Sequence, residues 1–124
     1  MKRSKSSRKR AENFGRLGEN LAGLYLRLKL YSIVAKRVKT HVGEIDLIAK
    51  RGKSLIFVEV KIRKNQDKLE QALEAVNKRR ISRAAGLFLS QNSKYYDYDM
   101  RFDVIFIAPY TLPKHYIGAF NYLE

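Results

Sequence analysis

The most regular apolar pattern in the chain lies between residues 43 and 63. Residues 45–50 and 55–62 are rich in Ile, Val, Leu and Phe, and the Arg-Gly-Lys-Ser between them is typical of a tight turn. Because side chains alternate between the faces of a strand, Glu59 and Lys61 share one face, while the other face is apolar throughout. A strand that is apolar on both faces is typical of the interior of a covered sheet. Burial in a sheet does not explain why Glu59 and Lys61 stand at the far end of this strand.

A helical pattern precedes these strands, over residues 11–29. Its leucines recur in one narrow stripe at about 100° per residue, and they are Leu17, Leu21, Leu24 and Leu28. Glu19 lies roughly opposite that stripe, in a sector with Gly15, Ala22 and Leu26. The small residues predict that this second face of the helix approaches another element closely, and Glu19 would then point along it at the sheet. The alternative is an ordinary solvated glutamate.

The remaining elements complete an α/β domain with a central mixed sheet flanked by helices. They are a strand over residues 30–39, a short helix over 69–76, a helix from Lys78 with Asn77 as N-cap, a strand over 101–107 and an edge strand over 116–120. The loop over residues 90–100 holds Tyr95, Tyr96 and Tyr98, which either stack on bases or, as we expect, fold back on the core. Residues 1–10 are predicted to be a disordered basic tail, and residues 11–124 a single domain.

Charge narrows the function classes. Lys and Arg number 26 against 12 Asp and Glu, which gives a formal charge of +14 and favours nucleic acid as partner. A ribosome-associated or merely soluble basic protein would carry the same charge. The absence of Cys excludes a disulfide framework and a Cys-based zinc site, and is compatible with a cytoplasmic location. No apolar run approaches the roughly 20 residues of a membrane span, so no membrane partner is expected.

Basic residues gather where the helix at Lys78 begins. They are Lys78, Arg79, Arg80 and Arg83. Cations at a helix N-terminus oppose the helix dipole, and a bound phosphate would remove the conflict because the helix end and the cations both attract it. Together with Arg63, these residues form the predicted nucleic-acid-binding set. A solvated basic face is the alternative interpretation.

Asp46 and Glu59 are candidate ligands for a divalent cation. Mg²⁺ prefers oxygen ligands and keeps several waters, so it is commonly held by one or two carboxylates. A metal held there activates a water and screens the charge that repels this water from a phosphate. Lys61 would orient that water or stabilise charge developing on the phosphate. The spacing fits equally well a half-exposed hairpin end with a Glu–Lys ion pair of little energetic consequence.

The two blocks that carry these residues resemble a known family. Gly-Glu-Ile-Asp-Leu-Ile-Ala at residues 43–49 and Phe-Val-Glu-Val-Lys-Ile-Arg at residues 57–63 look like the YraN-type family of small uncharacterised bacterial proteins. That family in turn resembles the PD-(D/E)XK nuclease superfamily and, within it, the archaeal Holliday junction resolvases. The resemblance runs from about residue 11 to residue 107. One departure is that Arg37 and Val38 stand where the family usually has Asn and an aromatic residue.

The resemblance implies a restriction-endonuclease-like fold with a helix-strand-strand-strand-helix-strand core. It also implies that Glu19 completes a catalytic set with Asp46, Glu59 and Lys61, with Mg²⁺ or Mn²⁺ as cofactor. We therefore expect a metal-dependent endonuclease that hydrolyses DNA, with junctions or branched DNA as candidate substrates and a homodimer as a candidate assembly. The alternative is a non-catalytic nucleic-acid-binding module, or an adaptor, that retains the fold.

Overall fold

The fold is known from a computed structural model, which describes residues 5–123, with side chains from residue 14 onward. Its helices and strands are α1 (Lys5–Leu28), β1 (Ser32–Thr40), β2 (Gly43–Arg51), β3 (Ser54–Ile62), α2 (Leu69–Glu74), α3 (Lys78–Gln91), β4 (Asp99–Ile107) and β5 (Lys114–Phe120). Helix α1 begins at Lys5, ahead of the predicted residue 11. Residues 1–4 of the predicted basic tail lie outside the described residues.

The five strands form one mixed sheet in the order β1-β2-β3-β4-β5. Neighbours are antiparallel except β3 and β4, which run parallel and are connected through α2 and α3. The turn between β2 and β3 consists of Gly52 and Lys53, because Arg51 pairs with Ser54. Gly52 has a φ of 60°, a backbone conformation that glycine adopts without a steric penalty. The predicted α/β fold class, a helix followed by a strand core flanked by helices, is confirmed.

Helices cover both faces of the sheet, so β3 is buried on both sides as its pattern predicted. Phe57 lies in the cluster beneath α3, and Val58 lies in the cluster beneath α1; both are fully buried. Helix α1 contacts the sheet through its small-residue face, on which Ala22 and Leu26 are fully buried. At Gly18 a Cβ would overlap the Ile62 side chain, so this side chain packs directly against the helix backbone. The leucine stripe of α1 therefore points away from the sheet.

Helix α3 begins where its capping residue predicts. The Asn77 side chain accepts a hydrogen bond from the backbone N–H of Arg80 at 3.2 Å, which fixes the first turn. Tyr95 folds back on the core and stacks on Phe88 with ring centroids 6.0 Å apart, whereas Tyr96 is exposed. Strands β4 and β5 each begin two residues before the predicted start. No helix in the described part of the chain is long and apolar enough to cross a bilayer.

Asp103 on β4 is fully buried and accepts four hydrogen bonds from three donor residues. Arg101 donates through Nε and Nη2 at 2.8 and 2.7 Å, and the backbone N–H of Gly118 on β5 donates at 3.0 Å. The third donor is Nε2 of His115 at 2.7 Å, because Lys29, which can only donate, faces Nδ1 at 2.9 Å. Burial alone would raise the pKa of Asp103, but the bonds from His115, Arg101 and Gly118 lower this pKa to about 2. Asp103 thus joins β4 to β5, as expected for a structural carboxylate.

Asp103→Ala should lower the free energy of unfolding by about 3–5 kcal/mol at neutral pH, because Arg101 and His115 lose their buried partner. The matched control is Asp97→Ala, which removes an exposed ion pair with Lys53 and should cost at most about 1 kcal/mol. Urea unfolding measures both. The folded-state pKa of Asp103 lies below its ordinary 3.8, so its contribution is present above pH 4 and is lost as pH falls toward about 2. Equal losses for the two variants would contradict this assignment.

Candidate active site

The candidate site opens where β2 and β3 separate. Their ladder pairs Leu47 with Val58 and continues toward the turn, but it extends no further in the other direction. The next facing residues in this register would be Asp46 and Glu59. The backbone N–H of Val60 donates its hydrogen bond to a side chain and not to a main-chain carbonyl. The acceptor is Oδ2 of Asp46, at 2.8 Å. A side chain therefore replaces the ladder at the point where the strands diverge.

Asp46, Glu59 and Lys61 line one polar cavity of about 220 Å³ at this divergence. Lys61 Nζ lies 3.4 Å from Glu59 Oε1, and each of these two side chains is 17% exposed. The remaining lining residues come from the strand start and from the helices opposite; they are Glu44, Ala75, Asn77, Arg80 and Ile81. The structure thus brings together the two carboxylates and the lysine that the sequence singled out. It adds Glu44 and Arg80 to their surroundings.

The surroundings of Asp46 and Glu59 disfavour the charged forms of both carboxylates. Burial raises the pKa of Asp46 to about 6; the Val60 N–H and Lys61 oppose this rise, while Glu19 and Glu44 add to it. Burial and, after it, the charge of Asp46 raise the pKa of Glu59 to about 7, against the attraction of Lys61. Two desolvated carboxylates that face each other favour any positive charge placed between them.

Glu19 reaches the edge of the same region from α1. It lines a smaller cavity of about 150 Å³ together with Arg37, Lys39, Glu44 and Asp46. Glu19 Oε2 accepts a hydrogen bond from Arg37 Nε at 2.6 Å, so it is ion-paired as well as near Asp46. Arg37 has a φ of 51°, which is uncommon for a non-glycine residue inside a strand and directs its side chain out of the regular alternation.

The donor set suits a small divalent cation held by few protein ligands. In the part of the chain that the structure describes, no group of three or more His, Asp or Glu side chains is arranged to hold a metal ion. Mg²⁺ does not require such a group, because it usually keeps several waters and is bound through one or two carboxylates plus substrate phosphate. Asp46 and Glu59 supply two carboxylates whose raised pKa values a cation would lower. The residues present therefore fit Mg²⁺ or Mn²⁺.

The predicted nucleic-acid-binding residues do not share one location. Arg80 lines the cavity of Asp46 and Glu59, whereas Lys78 lines a separate hollow beside β5. Arg79 and Arg83 are exposed on α3, and Arg63 is half-buried after β3, where its Nη1 donates to the carbonyl of Ile62. His41 in the β1–β2 turn and Gln71 on α2 are exposed, and neither lines the cavity.

Gly43 brings the start of α3 against the start of β2. A Cβ at this position would clash with the backbone carbonyl of Arg80, and backbone cannot move aside as a flexible side chain can. The glycine that opens the first sequence block therefore permits the close approach that places Arg80 at the cavity. Its role is steric.

Comparison with known proteins adds the family. The sequence model of the uncharacterised protein family UPF0102 matches residues 18–107 of the chain. The chain belongs to this family. A UPF0102 protein of Mesorhizobium japonicum is 44% identical over 121 residues, which cover 95% of this chain and 94% of that protein. A UPF0102 protein of Erythrobacter litoralis is 45% identical over 111 residues, which cover 90% of this chain and 95% of that protein.

The family model spans the whole candidate site, from Gly18 on α1 to the end of β4. A third UPF0102 protein, from Parvibaculum lavamentivorans, is 44% identical over 111 residues, covering 90% of this chain and 84% of that protein. The predicted membership in a family of small uncharacterised bacterial proteins is confirmed. The UPF0102 names state no activity.

Gly43→Ala should lower the free energy of unfolding by about 1–3 kcal/mol, the usual cost of overpacking a close contact. Gly23→Ala is the matched control, because nothing lies within 4 Å of a Cβ there and the residue is helical. This control should be neutral or stabilising by up to about 1 kcal/mol. Urea unfolding compares the two; an unchanged stability of Gly43→Ala would disprove the close approach.

Asp46→Asn and Glu59→Gln should each stabilise the metal-free protein above pH 7, by about 1–3 kcal/mol. Each folded-state pKa lies above the ordinary value of 3.8 or 4.5, so the wild type loses stability as pH rises from about 4 to about 7. The amides do not titrate and should lack this loss, so their advantage should vanish near pH 4. Chemical denaturation in a chelator across this range measures it, and variants less stable than wild type at pH 8 would refute the repulsion.

Proposed function

We propose that this protein is a metal-dependent nuclease that hydrolyses DNA phosphodiester bonds. The observation that carries the proposal is the pair Asp46 and Glu59, two desolvated carboxylates in one open polar cavity with Lys61 beside them. A binding protein gains nothing from carboxylates that face phosphate, because they repel it. A nuclease needs them to hold the cation that offsets this repulsion.

Asp46 and Glu59 would hold Mg²⁺ or Mn²⁺, which when bound supplies an activated water and charge screening at the phosphate. Asp46 is held in position by the Val60 N–H, so its carboxylate needs no reorganisation before it binds. Lys61 contacts Glu59 and would stabilise the negative charge that develops on the phosphate oxygens. Glu19, held by Arg37, sets the electrostatic potential at Asp46 from the other side.

The start of α3 offers a place for the phosphate backbone. Arg80 lies at the cavity, and Arg79 and Arg83 are exposed on the same helix. The first turn of α3 carries no acidic residue, so its N-terminal partial charge and its cations attract the same anion. A strand of DNA that crosses this helix end would bring a phosphate to Asp46 and Glu59. The +14 charge of the chain adds attraction that does not depend on base sequence.

A non-catalytic nucleic-acid-binding module, or an adaptor, is the competing function. It is favoured by the same basic helix start and by the ion pairing of Glu19 with Arg37, which leaves Glu19 engaged. The two functions differ in one requirement: only the nuclease needs the negative charges of Asp46 and Glu59.

Asp46→Asn and Glu59→Gln should each reduce metal-dependent cleavage by more than about 100-fold, because loss of even an outer-sphere partner of a metal site costs about 10–100-fold. Lys61→Ala should reduce it by about 10²–10³-fold. The assay screens duplex, flap, junction and single-stranded DNA with Mg²⁺, with Mn²⁺ and with chelator. Glu70→Gln and Lys53→Ala, exposed charges outside the cavity, are the matched controls and should cleave as the wild type does.

Two further measurements separate cleavage from binding. Mg²⁺ or Mn²⁺ should raise the Tm of the wild type, but not of Asp46→Asn, because a ligand stabilises only the state that binds it. In chelator, both carboxylate variants should bind DNA at least as tightly as the wild type, since each removes a negative charge near phosphate. A wild type that cuts no DNA in the screen, or an Asp46→Asn that cuts at the wild-type rate, refutes the nuclease and leaves the binding module.

A further inference from the structure

A row of large apolar side chains runs along the outer face of α1. Its members and their exposed fractions are Phe14 47%, Leu17 56%, Leu21 42%, Leu24 52% and Leu28 75%; we call this row the α1 seam. The opposite face of the same helix already packs on the sheet through Ala22 and Leu26. The α1 seam is therefore not needed to attach the helix to its own domain. A contiguous apolar surface of this kind marks an interaction site.

The spacing of the α1 seam specifies the kind of surface that fits it. The intervals from Phe14 to Leu28 alternate between three and four residues, which is the a and d order of a heptad repeat. This order places the side chains in a narrow line, where each inserts between four residues of a facing helix. Another α1 offers the same line and the same gaps. The seam is therefore complementary to itself.

The α1 seam forms one wall of an apolar groove of about 470 Å³. The other wall is the segment 108–113 after β4, on which Tyr110 and Leu112 are almost fully exposed. A helix laid along the seam would also contact these two side chains. The groove thus enlarges the surface beyond what a single row of leucines provides.

Charge separates this surface from the rest of the molecule. Charged residues make up 31% of the chain, yet the described residues that line the groove include no charged one. The positions that flank a heptad seam are held by Gly18, Asn20, Tyr25 and Arg27, so a single cation borders it among the described side chains. Two copies that each carry +14 repel each other across most orientations. The α1 seam is a face on which they can meet with little like-charge contact.

We propose that two copies of this chain associate through the α1 seam, each seam packing against the seam and groove of the other. The interface is isologous, as in most homodimers. It does not rest on the proposed nuclease activity. Glu19 lies on the opposite side of α1 from the seam, so both candidate sites stay open in the dimer.

Sedimentation of the full chain tests the interface. The wild type should have twice the 14.5 kDa mass of the chain, and Leu21→Glu and Leu24→Glu should reduce the mass two-fold. Leu30→Glu is the matched control, because Leu30 is 80% exposed but lies outside the groove, and it should remain a dimer. Far-ultraviolet circular dichroism verifies that every variant is folded. A monomeric wild type, or a Leu30→Glu that dissociates equally, overturns the proposal.

Salt and cross-linking locate the contact. Added NaCl should strengthen the dimer, because it screens repulsion between the two basic copies, whereas complexes bridged by nucleic acid weaken in salt. The chain has no Cys, so single cysteines report position: at least one of the five seam positions should form a disulfide-linked dimer, and Arg16→Cys should not. Dissociation in salt, or no seam cross-link in a wild-type-like dimer, overturns the assignment to α1.

Discussion

The hydrogen bond from the Val60 N–H to the carboxylate of Asp46 is the constraint on which the candidate site depends. A backbone donor inside a sheet requires an acceptor, and the β2–β3 ladder stops before it can supply one. Asp46 satisfies the donor and is thereby desolvated opposite Glu59. The Asp46 side chain thus takes the place of a main-chain acceptor in the ladder. The cavity, the repulsion between the two carboxylates and the position of Lys61 beside them follow from this arrangement.

Asp103 and the pair of Asp46 and Glu59 have opposite electrostatic outcomes. Asp103 is fully buried, yet hydrogen bonds from Arg101, His115 and Gly118 hold its pKa near 2. Asp46 and Glu59 are less buried, but burial and neighbouring carboxylates raise their pKa values to about 6 and 7, and the Val60 N–H and Lys61 do not offset this rise. Strong perturbation by desolvation and like charge is typical of sites built for a ligand, whereas saturation by donors is typical of structural anchors.

The sequence predicted the parts of the site that local rules determine. Alternation placed Glu59 and Lys61 on one face of a strand, the chemistry of Mg²⁺ ligands added Asp46, and the capping residue Asn77 located the start of α3. The rest depends on tertiary contacts. Alternation cannot foresee the left-handed φ of Arg37, which turns this side chain to Glu19. The small-residue face of α1 was identified, but the exposure of its leucines was not, because a leucine stripe ordinarily faces the core.

The turn of Gly52 and Lys53 fixes which residues of β2 and β3 face each other. Side chains alternate with a period of two, so one inserted or deleted residue in this turn would exchange the faces of one strand relative to the other. Asp46 would then meet an apolar neighbour, and the apolar side chains of β2 would leave their cores. The two-residue turn between β1 and β2 constrains those strands in the same way, whereas loops that do not join paired strands can vary in length without this effect. Natural variation in length is therefore expected to avoid the turn of Gly52 and Lys53, which sets the alignment of the two carboxylates.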